Sequence, residues 1–484
     1  MEAKEQKHIY FLGIGGTGMA ATAGLAQEAG FKVTGSDSNL YPPMSTMLEE
    51  LGIPVHTPYK SENIDIDKPD LVVIANALSR GHDELESALA QHLPYTSFPA
   101  FIGDYLLPER QSIVVAGTHG KTTTCSLLAH VLEELGHDPS FMIGGIPRNF
   151  PRSFKLGKGP YMVLEGDEYD TAFFDKNSKF LHYRPEYLIL NNLEFDHADI
   201  FKDLAAIEKQ FEALIKLVKD PKNIIANIDD PNLSRLLNKM GLLDCVTKVS
   251  VYGHTPLEKV DYRLESASPA EQKDTTIQWN IIIESKASGI QRVTSKLAGQ
   301  HNAANICQVL ALTERIHQVK PSKTNIAHAF ASFAGVARRL DHLGSANGID
   351  VYEDFAHHPT AVKQVIQGVR KSFPNRRLLV AFEPKNASSR RNIFHSEYIS
   401  SLSLADEVFI GPAPLDKRVE VSERMDVQRL ASDIGQSGHG FNSNEELLEA
   451  IAKHAKTGDV IVFMSSGSFS GVQHKLVDKL RSVI

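Results

Sequence analysis

The 484-residue chain reads as an α/β protein built from three αβ domains in series. Short apolar runs, of the length and all-round hydrophobicity that buried parallel strands need, recur along it and lead into stretches of helical periodicity. Glycine-rich turns stand at several of these strand-to-helix junctions, and carboxylate, amide and imidazole side chains gather at the strand ends. At roughly 150 residues per domain the length accommodates three, and the expected divisions are 1–108, 109–336 and 337–484.

The first domain opens at "HIYFLGIGGTGMAATAGLAQEAGFKVTGSD". Ile9–Leu12 is strand-like, and Gly13, Gly15 and Gly18 fit G-x-G-x-x-G. A helix is expected from about Met19 to Ala29, closed by Gly30. A strand over Phe31–Thr34 then leads to Asp37, and another is expected in "DLVVIANAL" at 70–78. This is a Rossmann-like βαβ unit, in which glycines let a diphosphate approach the backbone at a helix N-terminus. On the pattern alone NAD is the default ligand, and a tight turn that only packs helix on strand carries the same glycines.

The second domain begins near "QSIVVAGTHGKTTTCSLLAHVLEELG". Ser112–Ala116 is strand-like, and Leu127, Leu128, Val131, Leu132 and Leu135 follow at helical spacing up to Gly136. Gly117–Thr122 therefore lies on a strand-to-helix turn, where a phosphate cradle has to be. Backbone N–H groups there surround phosphate oxygens, Lys121 reaches the β/γ region and Thr122 offers a hydroxyl to Mg²⁺. The loop is shorter than G-x-x-x-x-G-K-[ST], since Val115 stands where the first glycine belongs. In "YMVLEGDEYDTAFF", Glu165, Asp167, Glu168 and Asp170 gather at a strand end. Glu165, first off the strand, suits Mg²⁺, and each of the others also fits a solvated acidic turn. "YLILNNLEFDHADIF" brings Asn191, Asn192, Glu194, Asp196 and His197 to another strand end, with His197 as a metal ligand or the orienter of one. The polar segment 260–300 reads as a small hairpin added to this central mixed sheet. His301, Asn302 and Asn305 then open a helix, where the amides suit either an adenine edge or a cap.

The third domain follows "GVARRLDHLG". "IDVYEDFAHHPTAVKQVIQGVRKSFPNRRLLVAFEP" reads strand, turn, helix, strand, with Asp354, His357 and His358 on the first turn and Pro359 at helix position N1. "ADEVFIGPAP" and "GDVIVFMSSGSF" supply two more strands. A second Rossmann-like domain is expected.

Composition removes several classes. With 42% hydrophobic and 23% charged residues and a formal net charge of −8, the chain lacks the basic surface that phosphate-backbone binding needs, so no nucleic-acid partner is expected. Cys125, Cys245 and Cys307 are too scattered for a disulfide framework or a zinc site. The opening "MEAKEQKHIYFLGIGG" has too short an apolar run for a signal peptide, and no stretch reaches the roughly 20 apolar residues of a membrane helix. A cytoplasmic protein with no membrane association and no obligate protein partner is expected.

Taken together, G-T-H-G-K-T-T-T, E-x-D-E-x-D, N-x-E-x-D-H, H-N-x-x-N and D-x-x-H-H-P-T resemble, in order and spacing across the chain, the Mur ligases of peptidoglycan metabolism. The resemblance implies a P-loop ATPase-like central domain and an ordered amide ligation using ATP and Mg²⁺, with Mn²⁺ as a substitute. Within the family the chain is most similar to the two branches that start from UDP-N-acetylmuramate, one adding L-alanine and the other the recycled tripeptide L-alanyl-γ-D-glutamyl-meso-diaminopimelate. "EGDEYDTAFFDKNSKFLHYRPEYLILNNLEFDHADIF", "VYEDFAHHPTAV" and "AFEPKNASSRRNIF" favour the tripeptide branch, as do Tyr169, Ala172, Asn191, Asn192, Ala198 and Phe355. Position by position, the resemblance implies that Gly117, Thr118, His119, Gly120, Lys121, Thr122 and Thr123 hold the ATP phosphates. Thr122 and Glu165 would hold a first metal and His197 a second. Asn302, Asn305 and Arg338 would approach ATP, with Asp354 near the adenosine end. Gly15, Gly16, Thr17, Gly18 and Asp37 would take the UDP-sugar, and His357, Arg390 and Arg391 are candidates for the peptide or acyl phosphate. Some members carry a carbamylated lysine about fifteen residues after the D-H pair; here that position falls near Glu212, which argues against a carbamate. A dehydrogenase would use Gly13–Gly18 but leave the Lys121 loop unexplained. A non-catalytic nucleotide sensor would dispense with Glu165 and His197, and both are present.

Overall fold

The computed structural model describes residues 6–198, 200–253, 255–270, 277–316, 323–415 and 420–482. The chain divides into two compact units. One comprises Met1–Leu193, Leu204–Val249 and Gln308–Ala329, and the other Glu194–Asp203, Ser250–Cys307 and Phe330–Ile484.

The first unit begins with five parallel strands in the spatial order Val55–His56, Lys32–Ser36, His8–Leu12, Leu71–Ile74 and Tyr95–Ser97. The order reverses beside His8–Leu12, and in open α/β sheets a ligand crevice forms at such a reversal, beyond the C-terminal strand ends. Tyr10, Leu12, Val72 and Ile74 are fully buried with Ile64 and Leu85, so these strands read as continuous apolar runs. The first helix spans Thr17–Glu28, two residues earlier than periodicity suggests, and Gly30 follows at φ +89°. Periodicity misses that start because Thr17 and Gly18 belong to the turn by composition and to the helix by backbone.

A second sheet in this unit runs Thr247–Ser250, Ile224–Asn227, Tyr187–Leu190, Gln111–Ala116, Tyr161–Gly166, Ser140–Met142 and Phe154–Lys155. All neighbours are parallel except the last, so the sheet is mixed, as expected. Ile113, Val114, Val115, Met162, Val163, Leu188 and Ile189 are fully buried, and each such side chain contributes about 1.5–3 kcal/mol of burial.

In the second unit, the segment expected as a small hairpin is a three-stranded antiparallel meander, Tyr262–Pro269, Trp279–Ser285 and Gly289–Ser295. Its first strand alternates weakly in hydrophobicity, which hid it, although Tyr262 and Leu264 are buried, with Leu264 paired to the buried Ile283. Residues 271–276 of that segment lie outside the described residues. A six-stranded sheet follows in the order Asp341–Ala346, Ile349–Asp354, Val460–Met464, Leu378–Phe382, Glu407–Ile410 and Gly438–Gly440. Its first strand alone is antiparallel. Apolar clusters around Val380, Val462 and Tyr398 on one face, and Val351, Ile461 and Phe409 on the other, give it two buried sides. Helix Pro359–Ser372 starts with Pro359 at its first turn and His358 as its cap. Among the described residues no helix is long and apolar enough to cross a membrane.

Candidate active site

Strand Gln111–Ala116 passes through Gly117–Gly120 into helix Lys121–Glu134. Gly117 sits at φ +144°, and a Cβ there would lie 2.9 Å from Asn191 Cβ. Gly120, at φ +81°, caps the helix. Both positions therefore require glycine. Two amides hold the loop open. The N–H groups of Thr118 and His119 donate to Asn192 O (3.3 Å) and Asn192 Oδ1 (2.8 Å). Asn191 Nδ2 donates to His119 O (3.1 Å) and Thr124 Oγ1 (3.2 Å), while Asn227 Nδ2 donates to Asn191 O at 2.8 Å. In the sequence Asn191 and Asn192 stood only at a polar strand end and within a family resemblance, and their part in shaping the loop had no signal of its own.

Lys121 turns back on this loop. Its Nζ donates to Gly117 O at 2.6 Å and to the Glu168 carboxylate at 2.9 Å. Glu168 is therefore not a member of a solvated acidic turn. It is 2% exposed, and it forms an ion pair with the lysine that should meet phosphate. Burial works against the Lys121 charge, but Glu168, Asp167 and Glu165 outweigh it and hold the ammonium above lysine's ordinary range. The other acids are also engaged. Asp167 accepts from Lys179 at 2.6 Å, and Asp170 accepts from Asn76 and Lys176 at 2.9 and 2.8 Å. Which acid faces Lys121 depends on the turn after Gly166, where Ser178 Oγ donates to Glu168 O at 2.6 Å.

Glu165 is the penultimate residue of strand Tyr161–Gly166 rather than lying beyond it. Thr122 Oγ1 donates to Glu165 Oε1, and Gly144 N–H to Oε2, each at 2.7 Å. A hydroxyl in contact with a carboxylate is a hard-oxygen donor set of the kind Mg²⁺ takes, so these residues fit that ion. Thr123 is buried beside Thr122 in the first helical turn.

In the first domain, Gly15 N–H donates to Asp37 Oδ2 at 2.8 Å, and Ser38 N–H to Oδ1 at 2.7 Å. A Cβ on Gly15 would lie 2.8 Å from that carboxylate, and one on Gly18 3.0 Å from the Phe98 ring. Gly16 caps the helix and Thr17 begins it.

The remaining candidates belong to the second unit. His197 has φ +57°, and its N–H donates to Asp196 Oδ1 at 2.7 Å. Asp196 is buried against its charge, yet His197, His357 and a Ser388 hydrogen bond hold it well below the usual carboxylate range. His357 Nε2 lies 3.9 Å from Asp196 Oδ2, and its Nδ1 pairs with Phe355 O at 2.9 Å. Glu194 Oε2 accepts from Thr360 Oγ1 at 2.8 Å and lies 3.5 Å from His358 Nδ1. Arg338 (φ +60°) donates to Ser465 O at 3.1 Å and to Gly467 O, with its guanidinium 5.2 Å from the Phe355 ring centre. Asp354 accepts N–H bonds from Leu340 and Ala356, each at 2.7 Å. Burial raises its pKa, against Arg339 and those two donors. Asn302 Nδ2 reaches back to Ala298 O at 2.7 Å, and Asn305 donates to Asn302 Oδ1 at 3.3 Å, so both amides serve the helix start. Arg390 Nε donates to Asn386 O at 3.3 Å, and Arg391 lies 4.0 Å from Glu423.

Family models match the chain in three consecutive stretches: a Mur ligase family catalytic domain over residues 8–109, a Mur ligase middle domain over 115–313 and a Mur ligase glutamate ligase domain over 338–467. The chain belongs to the Mur ligase family. It is 40% identical, over 98% of each chain, to the UDP-N-acetylmuramate–L-alanyl-gamma-D-glutamyl-meso-2,6-diaminoheptandioate ligase of Escherichia coli K12. Against the UDP-N-acetylmuramate–L-alanine ligase of Desulfitobacterium hafniense Y51 the identity is 30%, over 97% of this chain and 99% of that one. A crystal structure of a murein peptide ligase from Psychrobacter arcticus 273-4 matches with a TM-score of 0.68 at 34% identity, over 99% of both chains.

Proposed function

We propose that this protein is an ATP-dependent amide ligase that joins L-alanyl-γ-D-glutamyl-meso-diaminopimelate to UDP-N-acetylmuramate. The observation that carries the reading is the 40% full-length identity to a ligase named for that acceptor, against 30% to one named for L-alanine. The lactyl carboxylate of UDP-N-acetylmuramate attacks the ATP γ-phosphate and gives an acyl phosphate and ADP. The peptide's α-amine attacks the activated carbonyl, and phosphate leaves as the amide forms.

The residues suit these steps. The turn from Gly117 to Thr123 would cradle the phosphates, with the N–H groups of Thr118 and His119 held by Asn192 and those of the helix start at Gly120–Thr123 turned to the ligand. Lys121 exchanges Glu168 for a phosphate oxygen, countering the repulsion between two anions. Thr122 and Glu165 would hold Mg²⁺, with His197 for a second ion; when bound, the metal offsets charge on the transferred phosphoryl group. Asn302, Asn305 and Arg338 serve ATP, with Asp354 toward the adenosine. Gly15, Gly16, Thr17, Gly18 and Asp37 receive the UDP-sugar, while His357, Arg390 and Arg391 serve the acceptor, since guanidinium forks suit its extra carboxylates. The division 1–108, 109–336 and 337–484 is part of this reading, supported by the limits of the three matched stretches.

Phosphate release with ATP, Mg²⁺ and UDP-N-acetylmuramate tests the acceptor. Turnover is expected with the tripeptide and little with L-alanine, and Lys121→Ala should abolish both. A preference for L-alanine would move the protein to the other branch. Release by Lys121→Ala at the wild-type rate would overturn the phosphate-loop assignment.

A further inference from the structure

We propose that Ser388 is a positioning residue: its hydroxyl ties the acceptor-side segment "KNASSRRN" to the turn that carries His197, and turnover depends on that tie. The inference rests on the ligase reading above and gives a role to Ser388, to which the sequence alone assigned none.

Ser388 Oγ donates to Asp196 Oδ1 at 2.6 Å and accepts the Ala198 N–H at 3.4 Å. Both side chains are buried, Ser388 at 2% and Asp196 at 3% exposure. The same Asp196 oxygen accepts the His197 N–H at 2.7 Å. His197 is in the left-handed region at φ +57°, which a non-glycine residue keeps only where its surroundings hold it. One carboxylate oxygen thus links the Ser388 hydroxyl to the backbone that aims the His197 ring. At 2.6 Å between two buried groups, the bond is shielded from the water that would otherwise compete for it.

The other end of the tie is equally defined. Ser389 N–H donates to Asn386 Oδ1 at 2.9 Å, Arg390 N–H to Asn386 O at 3.1 Å, and Arg391 N–H to Ser388 O at 3.1 Å. Ser388 therefore belongs to the same self-bonded turn as the two arginines, and displacing that turn displaces the hydroxyl. Asp196 needs no serine merely to be satisfied by its own turn, since the His197 N–H already lies on it. Ser388 brings a donor from a segment nearly two hundred residues away in sequence. Its hydroxyl bonds to Asp196 and to the Ala198 N–H, so its effect on His197 passes through that turn.

The test is steady-state kinetics on the full chain for Ser388→Ala, Asp196→Asn and the double variant, each with a thermal melt. Wild type is assayed first with the tripeptide and with L-alanine. That comparison judges the acceptor reading, and the variants are then measured with whichever acceptor turns over. Ser388→Ala is expected to lower kcat about tenfold, the size of one lost buried hydrogen bond, with KM for ATP and UDP-N-acetylmuramate within about twofold of wild type. Its melting temperature should stay within a few degrees, and the double variant should be about as slow as the slower single one. A kcat within about twofold of wild type, losses that multiply in the double variant, or a fall in kcat matched by raised KM and a lowered melting point would each overturn the proposal.

Discussion

Lys121 and Glu168 show what a single residue can hide. The sequence announces Lys121, since a lysine at the end of a glycine-rich turn before a helix has few other uses, but its counter-ion emerges only where the chain folds back after Gly166. Glu168 makes the buried ammonium tolerable, because an unpaired charge there is expensive, and under the proposed function it would compete with phosphate for the same protons. Glu168→Gln should lower the KM for ATP several-fold, as no ion pair is then broken on binding. It should cost about 2 kcal/mol of stability in the ligand-free protein, because the lysine keeps a hydrogen-bond acceptor and loses the opposite charge. Nucleotide titration and melting curves read the two effects separately, and a raised KM would show that Glu168 helps the nucleotide instead.

At the scale of the element, the glycine-rich turn Gly117–Gly120 has its sequence at one strand end and its support, Asn191 and Asn192, at another. Asn192→Ala deletes the 2.8 Å acceptor of the His119 N–H and the donor to His119 O while sparing the Thr118 contact to the Asn192 carbonyl. About a tenfold rise in KM for ATP is expected, with the fold retained. Gly117→Ala adds a Cβ 2.9 Å from Asn191 at a φ of +144° and should abolish nucleotide binding, as isothermal titration would show. The parallel strands were legible because burial on both faces makes them uniformly apolar. The antiparallel strand Asp341–Ala346 was missed because it lies at a sheet edge and is polar, although its hairpin signal was there. Asn347 and Gly348, at φ +52° and +75°, form the two-residue turn that Asn-Gly favours. The meander over Tyr262–Ser295 was under-read for a similar reason, its alternation being interrupted where the pairing shifts register near Leu264.

For the molecule as a whole, stability should fall on mild acidification. His301 Nδ1 is buried without a hydrogen-bond partner, and burial, with Arg339 adding to it, pushes the ring down to about 4 from 6.5. A histidine depressed on folding favours the folded state above its unfolded pKa, and that contribution is lost as pH falls from about 6.5 toward 4, on the order of 3 kcal/mol in full. Melting of wild type and His301→Gln between these pH values should show a shallower dependence in the variant, and parallel curves would refute it. By itself the sequence determined the αβ class, the parallel strands, the glycine-rich turn before helix Lys121–Glu134 and the family, because these depend on residue type and spacing within a short stretch of chain. Only the tertiary structure decided that Glu168 faces Lys121, that Asn191 and Asn192 hold the loop, and that Ser388 reaches Asp196. Each of those partnerships joins residues distant in sequence, and their geometry is decided by how turns fold back on the sheets.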